Sequence, residues 1–275
     1  MNILEEIIEY KRREVENRKT EISITELEAT DLFSPDALSM KKFLLDESRT
    51  GIIAEFKRRS PSKGIINDKA DVVTVTKAFA ANGASTISVL TDGHFFGGSN
   101  KDLINARINN VPLLRKDFMI DEYQVTEAKA IGADAILLIA ACLSPAEVKR
   151  LASFAKSLGL EVLLELHDEA ELEHICDETE IIGINNRNLK TFEVDIERSL
   201  RMAEQIPAGK IKVAESGISS VENISLFKKH GFNGFLIGEN FMKEKDPGEA
   251  FKKFVNQLNN SSPPQAERLG EGYEY

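Results

Sequence analysis

The sequence of 275 residues lacks the features that mark several common classes of protein. It has no tryptophan and only two cysteines, Cys142 and Cys176, which lie too far apart in the chain for a metal or redox motif. Two cysteines in a chain of this length do not build a secreted disulfide scaffold, so we expect a reducing, cytoplasmic compartment. His94, His174 and His230 show no ligand spacing, and the sequence therefore predicts no metal site.

Long apolar runs and an excess of basic residues are also missing. No run approaches the ~18–20 apolar residues that span a bilayer, and Met1 to Lys19 lack the apolar core of a signal peptide. The 35 basic residues are outnumbered by 45 acidic ones, which gives a net charge of −10. An acidic chain does not favour nucleic acid, which needs a basic face. Small anionic ligands stay possible, because they respond to the local field of a cleft.

What the chain does contain, from Gly51 onward, is one repeated pattern. A short apolar, β-branched run is followed by a turn and then by a segment of helical periodicity. The eight runs recur every 26 residues or so, about the length of one βα unit. They begin near Gly51, Ser85, Val111, Ala133, Glu161, Ile181, Lys210 and Gly234.

The intervening segments predict helices over 71–82, 121–131 and 144–158. Each starts at Asp or Ser and is followed by Gly, the usual asymmetry of helix caps. Alternating strands and helices indicate a parallel sheet, either open and doubly wound or closed into a barrel. Eight even units, with no Rossmann glycine fingerprint after the first run, favour a (β/α)8 TIM barrel.

Two segments lie outside the repeat. Residues 2–20 predict an amphipathic helix with Ile3, Ile7, Tyr10 and Glu14 on one side, within an N-terminal helical extension over about 1–48. We interpret this helix as a cap on the barrel, with contact to a partner as the minor alternative. Residues 259–275 have low hydrophobicity and no period, so they predict a disordered tail beside a single domain over 1–258.

Charged residues at the ends of the predicted strands are the candidate catalytic groups, because the carboxyl face of a TIM barrel carries the active site. In the first strand, period-two alternation puts Ile53, Glu55 and Lys57 on one face, with the charged pair at the top. A buried ion pair is a weak device for stability. The pattern therefore favours a ligand-binding role for Glu55 and Lys57 over a purely structural one.

The same reasoning selects the ends of the third and fifth strands. Arg115 and Lys116 point in opposite directions, so only one of them faces the barrel axis. Glu165 closes the fifth strand. His167 follows it by two residues and shares its direction, but a lone histidine in a loop is more often a bystander.

The last three strand ends carry polar or glycine-rich turns. Asn185 and Arg187 belong either to a plain turn or to a set of donors for hydroxyls or a carboxylate, and pattern alone leaves both open. The loops after strands seven and eight carry Gly217 and Gly238, which allow close backbone approach to an anion. Their joint placement favours a phosphate-bearing substrate over two simple turns.

These motifs together resemble those of the indole-3-glycerol phosphate synthases of tryptophan biosynthesis. The similarity runs in order from about residue 2 to about 257. It implies a TIM barrel whose N-terminal helical extension covers the active-site mouth. The matching runs are 54–64 (AEFKRRSPSKG), 88–92 (SVLTD), 96–99 (FGGS), 114–118 (LRKDF), 183–187 (GINNR), 213–218 (VAESGI) and 236–239 (LIGE).

The resemblance also implies a reaction without cofactor, in which 1-(2-carboxyphenylamino)-1-deoxyribulose 5-phosphate becomes indole-3-glycerol phosphate, CO₂ and water. Lys116 would protonate the substrate carbonyl, and Lys57 would pair with the substrate carboxylate and serve dehydration. Glu165 would act as base or stabilise the cationic ring nitrogen, and Glu55 would position Lys57. The other implied contacts are to hydroxyls (Asn185, Glu215), to phosphate (Ser60, Ser216, Gly217, Gly238, Glu239) and to the aromatic ring (Pro61, Leu90, Phe96, Phe118, Leu137).

Two positions depart from the family pattern, both away from the chemistry. Asn188 stands where Asp is usual, and His94 stands where Lys is common. One alternative function is a sugar-phosphate isomerase on another phosphate-binding barrel, which would not need the apolar pocket that Phe96 and Phe118 predict. The other is a non-catalytic ligand-binding barrel, which the retained charged residues disfavour. The expected partner is a phosphorylated small molecule, with no nucleic acid or membrane, and the expected assembly is a monomer or weak homo-oligomer.

Overall fold

Eight parallel strands form a closed barrel in this computed structural model, which describes residues 3–33, 36–187 and 193–261. Each strand lies inside one of the predicted apolar runs. The last strand pairs with the first through Ile52 and Phe235, so the sheet is closed rather than open. The predicted TIM barrel is therefore confirmed. The strands are β1 (Ile52–Phe56), β2 (Thr86–Leu90), β3 (Leu113–Lys116), β4 (Ala135–Ile139), β5 (Glu161–Leu166), β6 (Ile181–Asn185), β7 (Ile211–Glu215) and β8 (Gly234–Ile237).

Helices cover the outside of the barrel and precede it. The predicted caps are confirmed, because Asp71, Asp121 and Ser144 each accept a backbone N–H of the helix they begin. The final helix runs through Ser261, so the expected tail boundary at 259 falls inside a helix, and 262–275 lie outside the described residues. The helices are α1 (Ile3–Glu21), α2 (Ile24–Glu28), α3 (Met40–Leu45), α4 (Val72–Ala81), α5 (Asn100–Ala106), α6 (Glu122–Ala130), α7 (Pro145–Ser157), α8 (Ile196–Gln205), α9 (Val221–Lys229), α10 (Glu239–Met242) and α11 (Pro247–Ser261).

Several short elements after the strands were not predicted, including a 3₁₀ helix of Ala140–Cys142 after β4. A hairpin of Arg59–Ser60 and Gly64–Ile65 follows β1, and a 3₁₀ helix of Glu169–His174 follows β5. Both lie on the carboxyl side of the barrel. They are too short to give a periodic signal in the sequence, so hydrophobic periodicity cannot predict them.

Apolar side chains fill the barrel interior in its lower part. Ile53, Leu114, Leu163 and Val213 form one cluster inside the sheet, while a second, larger cluster lies between the sheet and the helices. Met40 and Leu44 of α3 join the interior cluster. Every second residue of a strand faces the barrel interior, so the residue two positions after each of these apolar side chains also faces inward. These later residues lie at the carboxyl end of the barrel. Charged groups occupy several of these upper positions.

Helix α1 lies at the mouth of the barrel, but its buried stripe differs from the predicted one. The buried residues of α1 are Ile7, Lys11 and Val15, whereas Tyr10 is 40% exposed. The prediction for Tyr10 was therefore wrong, and Lys11, which was not predicted to be buried, takes a place in the stripe. An i, i+4, i+8 spacing explains the observed stripe, since these positions lie above one another on a helix.

Lys11 is buried because acidic groups surround it. Its Nζ lies 2.8 Å from Asp92 Oδ2, 2.9 Å from Asp117 Oδ1 and 2.8 Å from Glu14 Oε2. Burial opposes the charge on Lys11, but the carboxylates outweigh it and raise the pKa of the ammonium above its usual range. Asp92 and Asp117 follow β2 and β3, so this cluster attaches α1 to two loops of the barrel mouth.

Replacing Lys11 with methionine should destabilise the fold by about 3–5 kcal/mol, because Asp92 would stay buried without its cation and Asp117 would keep only the more distant Arg115, at 3.5 Å. Urea unfolding followed by far-ultraviolet circular dichroism measures the change. Arg13→Met is the matched control on the same helix, since the Arg13 side chain is 76% exposed and forms its ion pair with the exposed Glu9. It should cost less than about 1 kcal/mol. Equal losses in the two variants would contradict a role for the buried cluster.

Candidate active site

A cavity of about 390 Å³ opens at the carboxyl ends of the strands. Residues from α1 also line it, so the N-terminal helix forms part of its wall. The structure thus brings most of the predicted site residues to one place. They are Glu55, Lys57, Ser60, Pro61, Phe96, Lys116, Phe118, Glu165, Asn185, Arg187, Glu215, Ser216, Gly217, Gly238 and Glu239.

Two predicted ring contacts do not line this cavity. Leu90 is buried at the end of β2, and Leu137 belongs to the apolar cluster inside the barrel. Ile139 lies two residues beyond Leu137 on the same face of β4 and does line the cavity. The prediction chose the strand position one layer too low, because sequence does not show how far β4 extends towards the mouth.

Two lysines and two carboxylates form the charged centre of the cavity. Lys57 Nζ lies 2.6 Å from Glu55 Oε1, and Lys116 Nζ lies 3.5 Å from Glu165 Oε2. Burial opposes ionisation of Glu55, but Lys57 and Lys116 outweigh it and lower its pKa. Burial also opposes the charge on Lys116, but the surrounding carboxylates, Glu165 first among them, raise its pKa above the usual range. Lys116 is therefore a protonated amine that can act as an acid.

Glu165 and Glu215 have opposite tendencies to ionise. Burial disfavours the charged form of Glu165, but Lys116 and His167 outweigh it, so the pKa of Glu165 is lowered. Burial and the neighbouring Glu165 raise the pKa of Glu215 well above its usual range, which favours its protonated form. Two carboxyl groups whose environments separate their pKa values can take different chemical roles.

Asn185 and His167 hold Glu165 in place. The Asn185 side-chain amide donates a hydrogen bond of 2.8 Å to Glu165 Oε1. His167 Nε2 lies 2.9 Å from the same oxygen, and the imidazole side chain is only 8% exposed. His167 thus contacts Glu165, although a lone histidine in a loop is more often a bystander. Its spacing of two residues from Glu165 was the available signal, because it places both side chains on one face of the strand.

Glycines give two of the carboxyl groups room. A Cβ atom on Gly183 would lie 2.1 Å from Glu215 Oε1, and one on Gly238 would lie 2.6 Å from Glu55 Oε1. Distances this short exclude any side chain unless the carboxyl group moves. Gly238 was predicted to admit an anion, and the structure shows that it also accommodates Glu55.

The loops after β7 and β8 form the other end of the cavity. Ser216 and Gly217 both have positive φ, at 64° and 69°. Lys63 Nζ lies 3.6 Å from Glu239 Oε1, and Arg187 lies 3.7 Å from Glu239 Oε2. This end therefore combines a tight backbone turn with two cations that share a carboxylate. Lys63 was not among the predicted site residues, and Asn188 lies outside the described residues.

Phe96 and Phe118 form an aromatic wall, with ring centroids 5.9 Å apart. The two aspartates that bind Lys11 also fix this wall. Asp92 Oδ1 accepts the backbone N–H of Phe96 at 3.2 Å, and Asp117 Oδ1 accepts that of Phe118 at 2.8 Å. The Lys11 cluster thus links α1 to the position of the aromatic rings. His94 stacks on Tyr10, with ring centroids 4.3 Å apart, and does not line the cavity.

A metal-binding cluster and a membrane-spanning helix are both absent from the described residues. In residues 3–33, 36–187 and 193–261, no group of three or more His, Cys, Asp or Glu side chains is arranged to hold a metal ion. None of the helices in this part of the chain is both long and apolar enough to cross a membrane.

Fold and site define a TIM-barrel enzyme with a centre of two lysines and two buried glutamates. The sequence profile of the indole-3-glycerol phosphate synthase family matches residues 4–254, and the chain belongs to this family. The indole-3-glycerol phosphate synthase of Bacteroides thetaiotaomicron is 50% identical over 258 residues, which cover 94% of this chain and 99% of the relative. That of Acidithiobacillus ferrooxidans is 44% identical over 256 residues, covering 91% and 97%.

Among solved structures, a mutant tryptophan synthase α-subunit from Pyrococcus furiosus superposes with a TM-score of 0.58. The match covers 77% of this chain and 99% of that one, at 17% sequence identity. At this level of identity the likeness concerns the fold alone, and it agrees with the closed barrel described above.

Gly183→Ala should lower kcat by roughly 10-fold to 10²-fold, because the new Cβ would displace the Glu215 carboxyl group within the site. Steady-state kinetics of the indole-3-glycerol phosphate synthase reaction measures kcat. Gly93→Ala is the control, since a Cβ there would meet nothing nearer than the Gly98 carbonyl oxygen at 3.5 Å. An unchanged kcat in Gly183→Ala would show that the reaction does not require the observed position of the Glu215 carboxyl group.

Proposed function

We propose that this cavity converts 1-(2-carboxyphenylamino)-1-deoxyribulose 5-phosphate to indole-3-glycerol phosphate, CO₂ and water. Family membership makes the chain a carboxy-lyase of tryptophan biosynthesis whose substrate is a phosphorylated small molecule. The observation that carries the assignment of roles is the position of Lys116. It is a protonated amine with 18% of its side chain exposed beside Glu165, in a cavity with an aromatic wall at one side and the tight turn of Ser216 and Gly217 at the other.

The shape of the cavity supports one orientation of the substrate. The phosphate would bind at the turn of Ser216 and Gly217, at the amino end of α10 and at Ser60, with Lys63 and Arg187 nearby. Backbone N–H groups at such turns and helix starts favour anions. The aromatic ring would lie against Phe96, Phe118 and Ile139. The substrate carboxylate would then face Lys57, which places the reacting carbonyl near Lys116.

Ring closure requires an acid at the carbonyl oxygen. We assign this role to Lys116, which would donate a proton to that oxygen while the carbon–carbon bond forms and the ring nitrogen becomes cationic. Loss of CO₂ returns electrons to the ring and neutralises the nitrogen. The hydroxyl group then leaves as water after taking a proton from Lys57. The carbon bonded to the ring nitrogen loses a proton as the indole double bond forms, and the amine of Lys116, left neutral by the first step, would accept it.

The carboxyl groups serve different purposes in this scheme. Because the pKa of Glu165 is lowered, it is a weak base and suits electrostatic stabilisation of the cationic nitrogen better than proton abstraction. Of the two roles that the family resemblance allows for Glu165, the charge distribution favours stabilisation. Glu215, with its raised pKa, suits donation of a hydrogen bond to a substrate hydroxyl. Glu55 positions Lys57 through their ion pair.

Neither alternative function explains the site as well. A sugar-phosphate isomerase needs no aromatic wall, yet Phe96 and Phe118 lie beside Lys116. A binding barrel does not require two buried carboxyl groups with opposite shifts of pKa. Both cysteines are free, which supports a reducing compartment, and we propose the cytoplasm, with a monomer or weak homo-oligomer as the assembly.

Purified protein should convert the carboxyphenylamino-deoxyribulose phosphate to an indole product without added metal. The chain has no tryptophan, so new indole fluorescence would be distinct from protein emission. Lys116→Ala should lower kcat by at least ~10²-fold, as expected on loss of a general acid.

Lys101→Ala is the control for that assay, because Lys101 is an exposed lysine on α5. It should turn over like the parent protein. Absence of an indole product at micromolar enzyme would reject the proposed reaction. Normal turnover by Lys116→Ala would instead remove Lys116 from the acid role while leaving the reaction in place.

Glu215→Gln and Glu165→Gln should differ although the chemical change is the same. Glutamine keeps the neutral, donating character of a protonated acid, so Glu215→Gln should retain kcat within roughly 10-fold. Glu165→Gln removes a negative charge and should lower kcat by about 10²-fold or more. The ratio of the two kcat values is the measurement, and equal losses would show that Glu215 works as an anion.

A further inference from the structure

One buried histidine lies next to the site and has no part in the reaction proposed above. His167 follows β5, and its side chain lies between two carboxylates. Nε2 is 2.9 Å from Glu165 Oε1, and Nδ1 is 3.6 Å from Glu171 Oε2. Glu171 belongs to the 3₁₀ helix Glu169–His174 and is itself mostly buried, with 14% of its side chain exposed.

On the side away from the cavity, the loop after β5 fixes the position of the His167 ring relative to Glu171. Glu171 Oε2 accepts the backbone N–H of His167 at 2.6 Å, so the carboxylate that faces the ring is also bonded to the backbone of the same residue. The imidazole therefore has little freedom to turn. Asp168 caps the 3₁₀ helix by accepting the N–H of Ala170, which secures the position of Glu171.

On the cavity side, the two carboxylate oxygens of Glu165 contact different groups. Asn185 and His167 both approach Oε1, at 2.8 Å and 2.9 Å. Lys116 approaches Oε2, at 3.5 Å. One oxygen is thus held by two donors from the barrel wall, and the other is directed at the lysine in the cavity. Loss of His167 would leave a single amide to hold the carboxylate.

We propose that His167 is a positioning residue for Glu165: its imidazolium, supported by Glu171, holds Oε1 and keeps the carboxylate ionised and directed at Lys116. The inference deepens the proposed function, because the orientation and charge of Glu165 matter to the reaction assigned to this cavity. A purely structural ion pair is the competing explanation, and it predicts effects on stability without a change in the pH dependence of kcat.

Several charged or titratable groups face the imidazole. Glu165 lies on the same strand, Glu171 on the 3₁₀ helix, Lys116 on β3 and Glu215 on β7, while Cys142 lies near both Glu165 and Glu171. Burial lowers the pKa of His167, but Glu165 and Glu171 outweigh it and raise the pKa to about 9. The imidazole is therefore charged below pH 9 and loses its proton as the pH rises through that value. Glu165 then retains Lys116 but loses the second cation.

His167→Ala should lower kcat by about 10-fold or more and leave KM within about twofold, because Glu165 would lose both a donor and a cation. His167→Gln places an amide near the position of Nε2, so it should recover part of kcat without restoring the charge. In both variants the acidic limb of the kcat–pH profile should move to higher pH, since Glu165 becomes easier to protonate. The part of the alkaline limb near pH 9 should disappear.

His174→Gln is the matched control. His174 is a buried histidine of the neighbouring 3₁₀ helix, and its ring nitrogens lie within hydrogen-bonding distance of the backbone carbonyl oxygens of Glu171 and Leu143 rather than of a carboxylate. It should lower thermal stability and leave the pH profile unchanged. A pH profile of His167→Gln that superposes on that of the parent protein would overturn the proposal.

A second measurement does not depend on turnover. Titration of the histidine ring signals by nuclear magnetic resonance in ligand-free protein should give His167 a pKa of about 9, and Glu171→Gln should lower it. A value near the ordinary 6.5 would reject the charged imidazole even if the protein makes an indole product. A pKa near 9 without any conversion would instead reject the proposed reaction and leave the His167 contact standing.

Discussion

The active site depends on one constraint: the lysines and carboxylates at the carboxyl end of the barrel must neutralise one another, because they are largely removed from water. Lys116, which is only 18% exposed, cannot keep its charge without carboxylates, and Glu55 and Glu165 cannot be buried as anions without cations. Three carboxyl groups surround two lysines here, and the third, Glu215, has a raised pKa that favours its neutral form. Two anions then match two cations. The chemical roles follow from this balance, because it leaves one lysine that stays protonated, one fixed anion and one neutral donor.

The same constraint extends beyond the catalytic groups to the N-terminal helix. Asp92 and Asp117 are buried beside the cavity and need a cation, which α1 supplies through Lys11. Because those aspartates also accept the backbone N–H groups of Phe96 and Phe118, the helix and the aromatic wall share one set of contacts. The extension is thus part of the construction of the site. Its attachment by charge rather than by apolar packing alone explains why a lysine takes the buried position of an otherwise amphipathic helix.

Local rules account for what could be predicted from sequence. Alternation along strands places Glu55 and Lys57 correctly, and helix caps locate the ends of α4, α6 and α7. Lys11 and His167 could not be recognised in this way, because each is buried by partners from other parts of the chain. Lys11 depends on two loops about 80 and 105 positions further along, distances that no periodicity records. The error at Leu137 has a related cause, since the height of a residue in a barrel depends on the stagger of all the strands.

Net charge and local charge lead to different conclusions about the ligand. A chain with a net charge of −10 should repel an anionic substrate mildly at long range. Near the cavity the local charge is more positive than the net charge of the chain suggests. Lys63 and Arg187 share one carboxylate, that of Glu239, and Lys57 also lines the cavity. Screening at physiological salt limits the long-range repulsion to about 8 Å from the surface. The groups within contact distance therefore decide whether a phosphate and a carboxylate bind, and in this barrel those groups lie at the strand ends.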